Sequence, residues 1–83
     1  MVRVKLFATL AQIAGRREVE VEATSTSQLL QRLYELFGEP FRKELEQGMI
    51  MLVNGHDVEH LRGMETPLQD GDTVSLFPPA GGG

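Results

Sequence analysis

The chain has 83 residues and a formal net charge of −4 at pH 7, which is the size of one compact domain and gives no general attraction to nucleic acid. It contains no cysteine, and this excludes disulfides, thiolate metal sites and a thiol nucleophile. No apolar run approaches the roughly 18 to 20 residues that a membrane span needs. We therefore expect a soluble, cytoplasmic protein with neither a nucleic acid nor a membrane as its partner.

The first part of the chain predicts two strands. Apolar and charged residues alternate over Val2–Leu6 and again over residues 18–22, as they do in strands that bury one face. Residues 7–15 between them are interpreted as a compact connection that places Leu10 and Ile13 in the core.

Glutamates occupy the alternate positions of the second strand, at Glu18, Glu20 and Glu22. We interpret them as a solvated face that pairs across strands with Arg3 and Lys5, in preference to an acidic binding site. A surface ion pair of this kind contributes roughly 0.2 to 1 kcal/mol.

A helix is predicted to begin after Ser25, because Ser25 and Gln28 fit a capping box. Gly38 is predicted to end it. The apolar residues that follow the cap have the spacing of one buried helical face. They are Leu29, Leu30, Leu33, Leu36 and Phe37. Residues 40–47 then form either a short helical turn or a loop, with Phe41 and Leu45 facing inward.

The second half predicts three more strands. The apolar run at residues 49–53 indicates a strand buried on both faces, and Asn54-Gly55 predicts a hairpin turn into a short strand over residues 56–58. Leu61 and Met64 are expected to contact the core from an irregular segment. After a turn at residues 68–72, a last strand runs over Thr73–Phe77. The order of elements predicts an α+β domain with a mixed sheet packed on one main helix.

The side chains predict no catalytic or metal site. His56 and His60 lie next to a turn without further ligands at suitable spacing, so no bound metal is expected. Asp70 and Asp72 flank a glycine and are typical of a turn whose carboxylates accept hydrogen bonds from nearby backbone amides. The sequence also has no nucleophile elbow and no glycine-rich phosphate loop.

The end of the chain is the remaining candidate for a functional site. After a domain over residues 1–77, residues 78–83 begin with Pro78-Pro79 and close with three glycines, which predicts an extended and slender tail. Six such residues reach roughly 20 Å at about 3.3 to 3.6 Å each. Because glycine has no Cβ, this tail can enter a narrow site and present its carboxylate there. The alternative is an ordinary frayed terminus.

Several short motifs agree in their order with one known family. They are Val4-Lys5-Leu6-Phe7-Ala8, Val53-Asn54-Gly55, Pro67-Leu68-Gln69-Asp70-Gly71-Asp72-Thr73-Val74, Phe77-Pro78-Pro79 and the terminal Gly82-Gly83. Together with the chain length, this combination resembles the MoaD-type small subunit of molybdopterin synthase over essentially the whole chain.

The resemblance implies a ubiquitin-like β-grasp fold in which the first and last strands are parallel neighbours. It also implies that the chain is a sulfur carrier of molybdenum cofactor biosynthesis. A ubiquitin-activating-type adenylyltransferase (MoeB-type) uses ATP to adenylate the terminal carboxylate, and sulfur then replaces the adenylate. The thiocarboxylate enters the active site of the large subunit (MoaE-type), where two carriers in succession convert cyclic pyranopterin monophosphate to molybdopterin.

The same resemblance assigns roles to individual residues. Gly83 is the thiocarboxylate position, Gly82 and Gly81 form the stem that passes into the partner, and Phe77 and Leu61 contact the large subunit. The chain itself binds no cofactor and is a sulfur-donating subunit without an active site of its own. Two copies are expected on a dimer of large subunits. One departure is Ala80-Gly81 before the diglycine, where the family often has a larger residue and then alanine.

Three alternatives use the same fold. A ThiS-type carrier donates sulfur to thiazole formation, but such chains usually lack the Phe-Pro-Pro element. A ubiquitin-like protein modifier is joined to lysines through its terminal carboxylate. A passive interaction domain has an inert tail.

Overall fold

The computed structural model describes residues 1–58 and 65–78, which form five strands and three helices. In chain order the elements are β1 (Val2–Leu6), α1 (Thr9–Ala14), β2 (Glu18–Val21), α2 (Thr26–Phe37), α3 (Glu39–Glu46), β3 (Ile50–Val53), β4 (His56–Asp57) and β5 (Thr73–Phe77). The strand order along the chain is as predicted. The connection after β1 contains a helix, α1, and of the two alternatives for residues 40–47 the helix is correct.

The strands form one mixed sheet in the order β2-β1-β5-β3-β4. β1 and β5 lie side by side and parallel at its centre, with Leu6 opposite Leu76. The other neighbours are antiparallel. The expectation that the first and last strands are parallel neighbours is therefore confirmed.

The core lies between one face of this sheet and the helices. Alternate residues of each central strand point into it, as the period of two in the sequence requires. α2, the longest helix of the described residues, contributes Leu29, Leu30 and Leu33 to the core, and α3 adds Phe41 and Leu45. The fully buried core side chains include Val4, Leu10, Leu29, Leu33, Phe41, Val74 and Leu76.

The start of α2 confirms the predicted N-cap but changes the partner of Gln28. The Ser25 hydroxyl oxygen accepts a hydrogen bond from the Gln28 backbone amide at 3.2 Å. In return, the Gln28 side-chain oxygen accepts from the backbone amide of Thr24 at 2.7 Å, one residue earlier than in a standard capping box. Both contacts satisfy backbone groups around the first turn of the helix.

Three apolar residues that were expected to be buried are exposed. Ile13 is 36% exposed, because the short helix α1 turns only Leu10 fully into the core. Leu36 is 56% exposed near the end of α2. Ile50 is 44% exposed, so β3 is buried on one face and the prediction that it is buried on both is wrong.

The β3–β4 hairpin turns through Asn54 and Gly55 as predicted, both with positive φ, at 51° and 86°. The Asn54 side chain also connects this turn to the start of β5. Its oxygen accepts from the Thr73 backbone amide at 2.9 Å, and its amide group donates to the Asp72 carboxylate at 3.1 Å. Asp72 in turn accepts from the Gln69 backbone amide at 2.8 Å, as predicted for this turn.

We expect Asn54→Ala to lower the free energy of unfolding by about 1–2 kcal/mol. Alanine is unfavourable at a positive φ and makes neither side-chain hydrogen bond. Asn54→Gly is the matched control, because glycine accepts the backbone conformation and loses only the hydrogen bonds, so its loss is smaller. Urea denaturation of the three proteins measures both effects, and an alanine variant as stable as the parent would contradict this account of the turn.

Candidate functional site

The candidate site is the outer face of the sheet, where β5 ends and the tail begins. The register places Leu6 of β1 opposite Leu76 of β5, and both are buried. Because successive side chains of a strand point to opposite faces, Phe7 and Phe77 lie beside each other on the face away from the core. The sequence therefore positions two aromatic rings immediately before Pro78.

These two rings are stacked. The centroids of Phe7 and Phe77 are 4.3 Å apart, and the ring planes differ by 10°. The Phe7 backbone amide donates to the Leu76 carbonyl at 3.2 Å, which holds the strand ends together beyond the last paired residues. Ala8 follows with a φ of 52°, so the chain leaves the sheet directly after Phe7. This anchoring fixes the rings next to the point at which residues 79–83 begin.

Ile50 extends this surface on the other side of Phe77. β3 pairs with β5 so that Ile50 is opposite Phe77. Ile50 and Phe7 are 44% and 38% exposed, while Phe77 is half-buried between them. We call Phe7, Ile50 and Phe77 the apolar patch. Exposed contiguous apolar surface of this kind is typical of a protein–protein contact.

Basic side chains border the apolar patch on the β1 side. An open depression of about 470 Å³ lies next to Phe7, and its lining includes Lys5, Arg17 and Glu18. The site therefore combines an apolar centre with a polar, mixed-charge rim, which is the usual composition of a binding surface between proteins.

Two other kinds of feature, a metal-binding cluster and a membrane-spanning helix, are not found among the described residues. Within residues 1–58 and 65–78, no three histidine, aspartate or glutamate side chains are placed to hold a metal ion. In the same ranges, no helix is long and apolar enough to cross a bilayer.

Of the five predicted site residues, Phe77 alone lies within the described part of the chain. Gly81, Gly82 and Gly83 lie outside the described residues, as does Leu61, so their assigned roles stay predictions. Met64 and His60 are also outside those ranges.

Phe7 and Ile50 were not predicted as site residues, although the sequence contains a signal for both. Phe7 follows β1 at the next outward-facing position after Arg3 and Lys5. An aromatic residue therefore lies at a position where a charged residue is usual on a solvent-exposed face. Ile50 lies in the apolar run at residues 49–53, where alternation between the two faces is hidden because every residue is apolar. The parallel pairing of β1 with β5 is what brings the first aromatic residue to the last.

Comparison with known proteins identifies a family. The model of the ThiS family matches residues 4–83. Small archaeal modifier protein 3 of Haloferax volcanii is 34% identical over 87 aligned positions, which cover 95% of each chain.

Two solved structures extend the comparison. Small archaeal modifier protein 1 of Methanosarcina acetivorans superposes with a TM-score of 0.85 at 31% identity, over 99% of this chain and 95% of that one. The complex of subunits 1 and 2 of the molybdopterin-converting factor of Helicobacter pylori contains a chain with a TM-score of 0.68 at 28% identity, over 99% and 97%. The predicted ubiquitin-like β-grasp fold is confirmed.

Proposed function

The chain belongs to the ThiS family of ubiquitin-like sulfur carriers, and from this membership we propose that it carries sulfur on the carboxylate of Gly83 for the synthesis of molybdopterin. Gly82 and Gly81 form the stem that enters the partner. The chain acts as a sulfur-donating subunit, and the active site belongs to the large subunit.

The observation that supports this proposal is the position of the apolar patch directly before the tail. The stacked rings of Phe7 and Phe77 offer a rigid apolar surface at the end of β5. A partner that binds this surface holds the domain while residues 78–83 extend into its active site. The solved complex of subunits 1 and 2 of the molybdopterin-converting factor contains a relative of this chain, and this favours a large subunit as the partner. In the proposed assembly, a dimer of large subunits binds two copies of this chain.

The chemistry begins with activation of the carboxylate, which is a poor electrophile because it is negatively charged. A carboxylate oxygen of Gly83 attacks the α-phosphorus of ATP, and pyrophosphate leaves. The product is a mixed anhydride whose carbonyl carbon accepts a nucleophile. Sulfide then attacks that carbon and AMP leaves, so that the chain ends in a thiocarboxylate. Where the donor is a persulfide, the first product is an acyl disulfide, and a thiol reduces its S–S bond to give the thiocarboxylate and a disulfide of the donor with that thiol.

Sulfur transfer follows in the partner's site. The thiocarboxylate sulfur attacks a side-chain carbon of cyclic pyranopterin monophosphate and displaces the oxygen bound there, which gives a thioester between the chain and the pterin. Water then cleaves the bond between the Gly83 carbonyl carbon and sulfur, so that the sulfur stays on the pterin and the carboxylate of the chain is restored. A second loaded copy supplies the second sulfur of the dithiolene. Exclusion of bulk water before transfer protects the thiocarboxylate from hydrolysis.

Protein modification is the second candidate function. It is favoured by the 34% identity with small archaeal modifier protein 3. The same acyl adenylate can be passed to a lysine amine, which yields an amide at Gly83 in place of a thiocarboxylate. Both functions use the activated carboxylate and differ in the nucleophile that receives it.

A reconstitution with three acceptors distinguishes the candidates. The chain is loaded with ATP, an activating enzyme and a sulfur donor. It is then given to a molybdopterin synthase large subunit with cyclic pyranopterin monophosphate, to a thiazole synthase system, or to a cell extract probed for lysine adducts. We expect dithiolene product in the first reaction, detected by mass spectrometry. Product only in the thiazole reaction, or only as lysine adducts, would overturn the molybdopterin assignment and leave the carrier chemistry intact.

A further inference from the structure

A second surface, outside the apolar patch, lies along the free edge of the sheet. β2 is the edge strand of the sheet and pairs only with β1 among the described strands. The Leu6 backbone amide donates to the Arg17 carbonyl at 2.8 Å, so these two residues form a hydrogen-bonded pair. In an antiparallel ladder, hydrogen-bonded pairs recur at every second residue. By that alternation, the backbone amide and carbonyl groups of Glu18 and Glu20 point away from β1, towards the open edge.

These edge groups have no backbone partner in the described structure. Outside the helices and strand ladders, none of the backbone hydrogen bonds within residues 1–58 and 65–78 involves Glu18, Glu20 or Glu22. An edge of this kind accepts a further strand. Proteins use such edges to bind extended segments of other chains.

An apolar groove lies beneath this edge, between β2 and the last turns of α2. It has a volume of about 330 Å³ and is lined by Met1, Val21 and Leu36 among others. Met1 and Leu36 are 57% and 56% exposed, the two most exposed large apolar side chains of the described residues. Leu36 is therefore an apolar residue of α2 that the domain's own core does not use.

Acidic residues surround this groove. Glu20, Glu22 and Glu35 line it together with a single arginine, Arg32, which already pairs with Glu35 at 3.6 Å. The pKa of the Met1 ammonium is raised, first by its hydrogen bond to Asp70 against some desolvation, and further by the negative charges of Glu22 and Glu20. The groove therefore attracts positive charge.

We infer that the β2–α2 groove binds an extended segment of a partner protein in which lysine or arginine alternates with branched apolar residues, as an additional strand beside β2. In this arrangement the apolar side chains of the segment face Val21 and Leu36. The basic side chains project to the other face of the sheet, next to Glu20 and Glu18, of which Glu18 also pairs with Arg3 at 3.1 Å. This inference goes beyond sulfur transfer, because none of the three residues of the apolar patch lines the groove.

Charge excludes the two occupants that the chain itself offers. A second copy pairing β2 against β2 would bring the glutamates of both copies together, which is destabilising across strands. Residues 78–83 contain no lysine or arginine and end in a carboxylate, so they do not match the groove. A basic segment of a different protein matches both the apolar floor and the acidic rim.

The test uses a defined peptide and the whole chain. The probe is an acetylated and amidated peptide with the sequence Lys-Val-Lys-Ile-Lys-Val-Lys, titrated into the isotopically labelled chain and followed by backbone amide NMR. We expect saturable shifts at the amides of Glu18, Glu20 and Leu36, with the amides of Phe7 and Phe77 unchanged. Affinity falls as salt is added, because the attraction is electrostatic.

Two variants and one control peptide complete the design. The double variant E20K/E22K should weaken binding of the lysine peptide about tenfold or more and should bind the matching glutamate peptide, Glu-Val-Glu-Ile-Glu-Val-Glu, more tightly than the parent does. Leu36→Ser should weaken binding of the lysine peptide without increasing the affinity for the glutamate peptide. Ile13→Ser on α1 should change neither affinity. All of these positions are exposed, and amide spectra check that each variant is folded.

Three results would overturn the inference. The first is the absence of saturable shifts. The second is saturable shifts that map to the apolar patch instead of β2. The third is concentration-dependent shifts of the β2 amides without peptide, which would assign the edge to self-association. None of these results bears on sulfur loading at Gly83, so the two proposals fail separately.

Discussion

We expect deletion of Gly82 and Gly83 to abolish adenylation and sulfur loading of this chain and to leave its fold and stability unchanged. The deletion moves the terminal carboxylate back along the chain by about 7 Å at 3.3 to 3.6 Å per residue, which is far more than an active site tolerates. The core uses side chains between Val2 and Leu76, so the loss is confined to function.

Pyrophosphate release in the presence of the activating enzyme and ATP measures this effect. Ala80→Gly is the matched control, since it alters the tail and keeps its length, and it should retain most of the activity. Circular dichroism and thermal unfolding establish that the deleted chain is folded. A deleted chain that still releases pyrophosphate at the parent's rate would mean that Gly83 is not the activated residue.

We expect Phe77→Ala to weaken binding to the proposed large subunit by about 2 kcal/mol, or roughly 30-fold, as is typical of an aromatic residue at the centre of an interface. Phe77 is half-buried between Phe7 and Ile50, so its ring presents a fixed surface before binding. Part of the loss comes from disruption of the stack, which is worth about 0.5–1.5 kcal/mol beyond area burial.

Ile13→Ala is the matched control, because Ile13 is 36% exposed and Phe7 is 38% exposed, yet Ile13 lies on α1 outside the apolar patch. Calorimetric titration of Phe7→Ala, Phe77→Ala and the double variant measures the coupling between the rings. We expect the two losses to be strongly non-additive, since either substitution removes the same stack. Unchanged affinity of Phe77→Ala would discard the apolar patch as the interface, and the stability of each variant is measured in parallel.

Local patterns in this sequence predicted the elements better than they predicted exposure. Alternation identified β1 and β2, and the cap at Ser25 and the Asn54-Gly55 turn identified the start of α2 and the hairpin. The exposure of Ile50 could not be predicted in the same way, because a wholly apolar strand has no alternation that distinguishes its two faces.

Tertiary geometry explains the remaining differences. Leu36 fits the apolar spacing of α2, but the sheet edge at β2 leaves it uncovered near the end of the helix. The apolar patch depends on the parallel pairing of β1 with β5, which joins residues that are seventy positions apart in the chain, from Phe7 to Phe77. The resemblance to the MoaD-type subunit assigned Phe77, whereas Phe7 and Ile50 required the register of the sheet.

Intact-mass spectrometry of the loaded chain tests the central claim most directly. After incubation with ATP, a cognate activating enzyme and a sulfur donor, we expect the mass to increase by the difference between one sulfur and one oxygen atom. Fragmentation should place that increase on Gly83. An unchanged mass with an activating enzyme that releases pyrophosphate on this chain, or an increase located on any other residue, would contradict the assignment of Gly83 as the sulfur carrier.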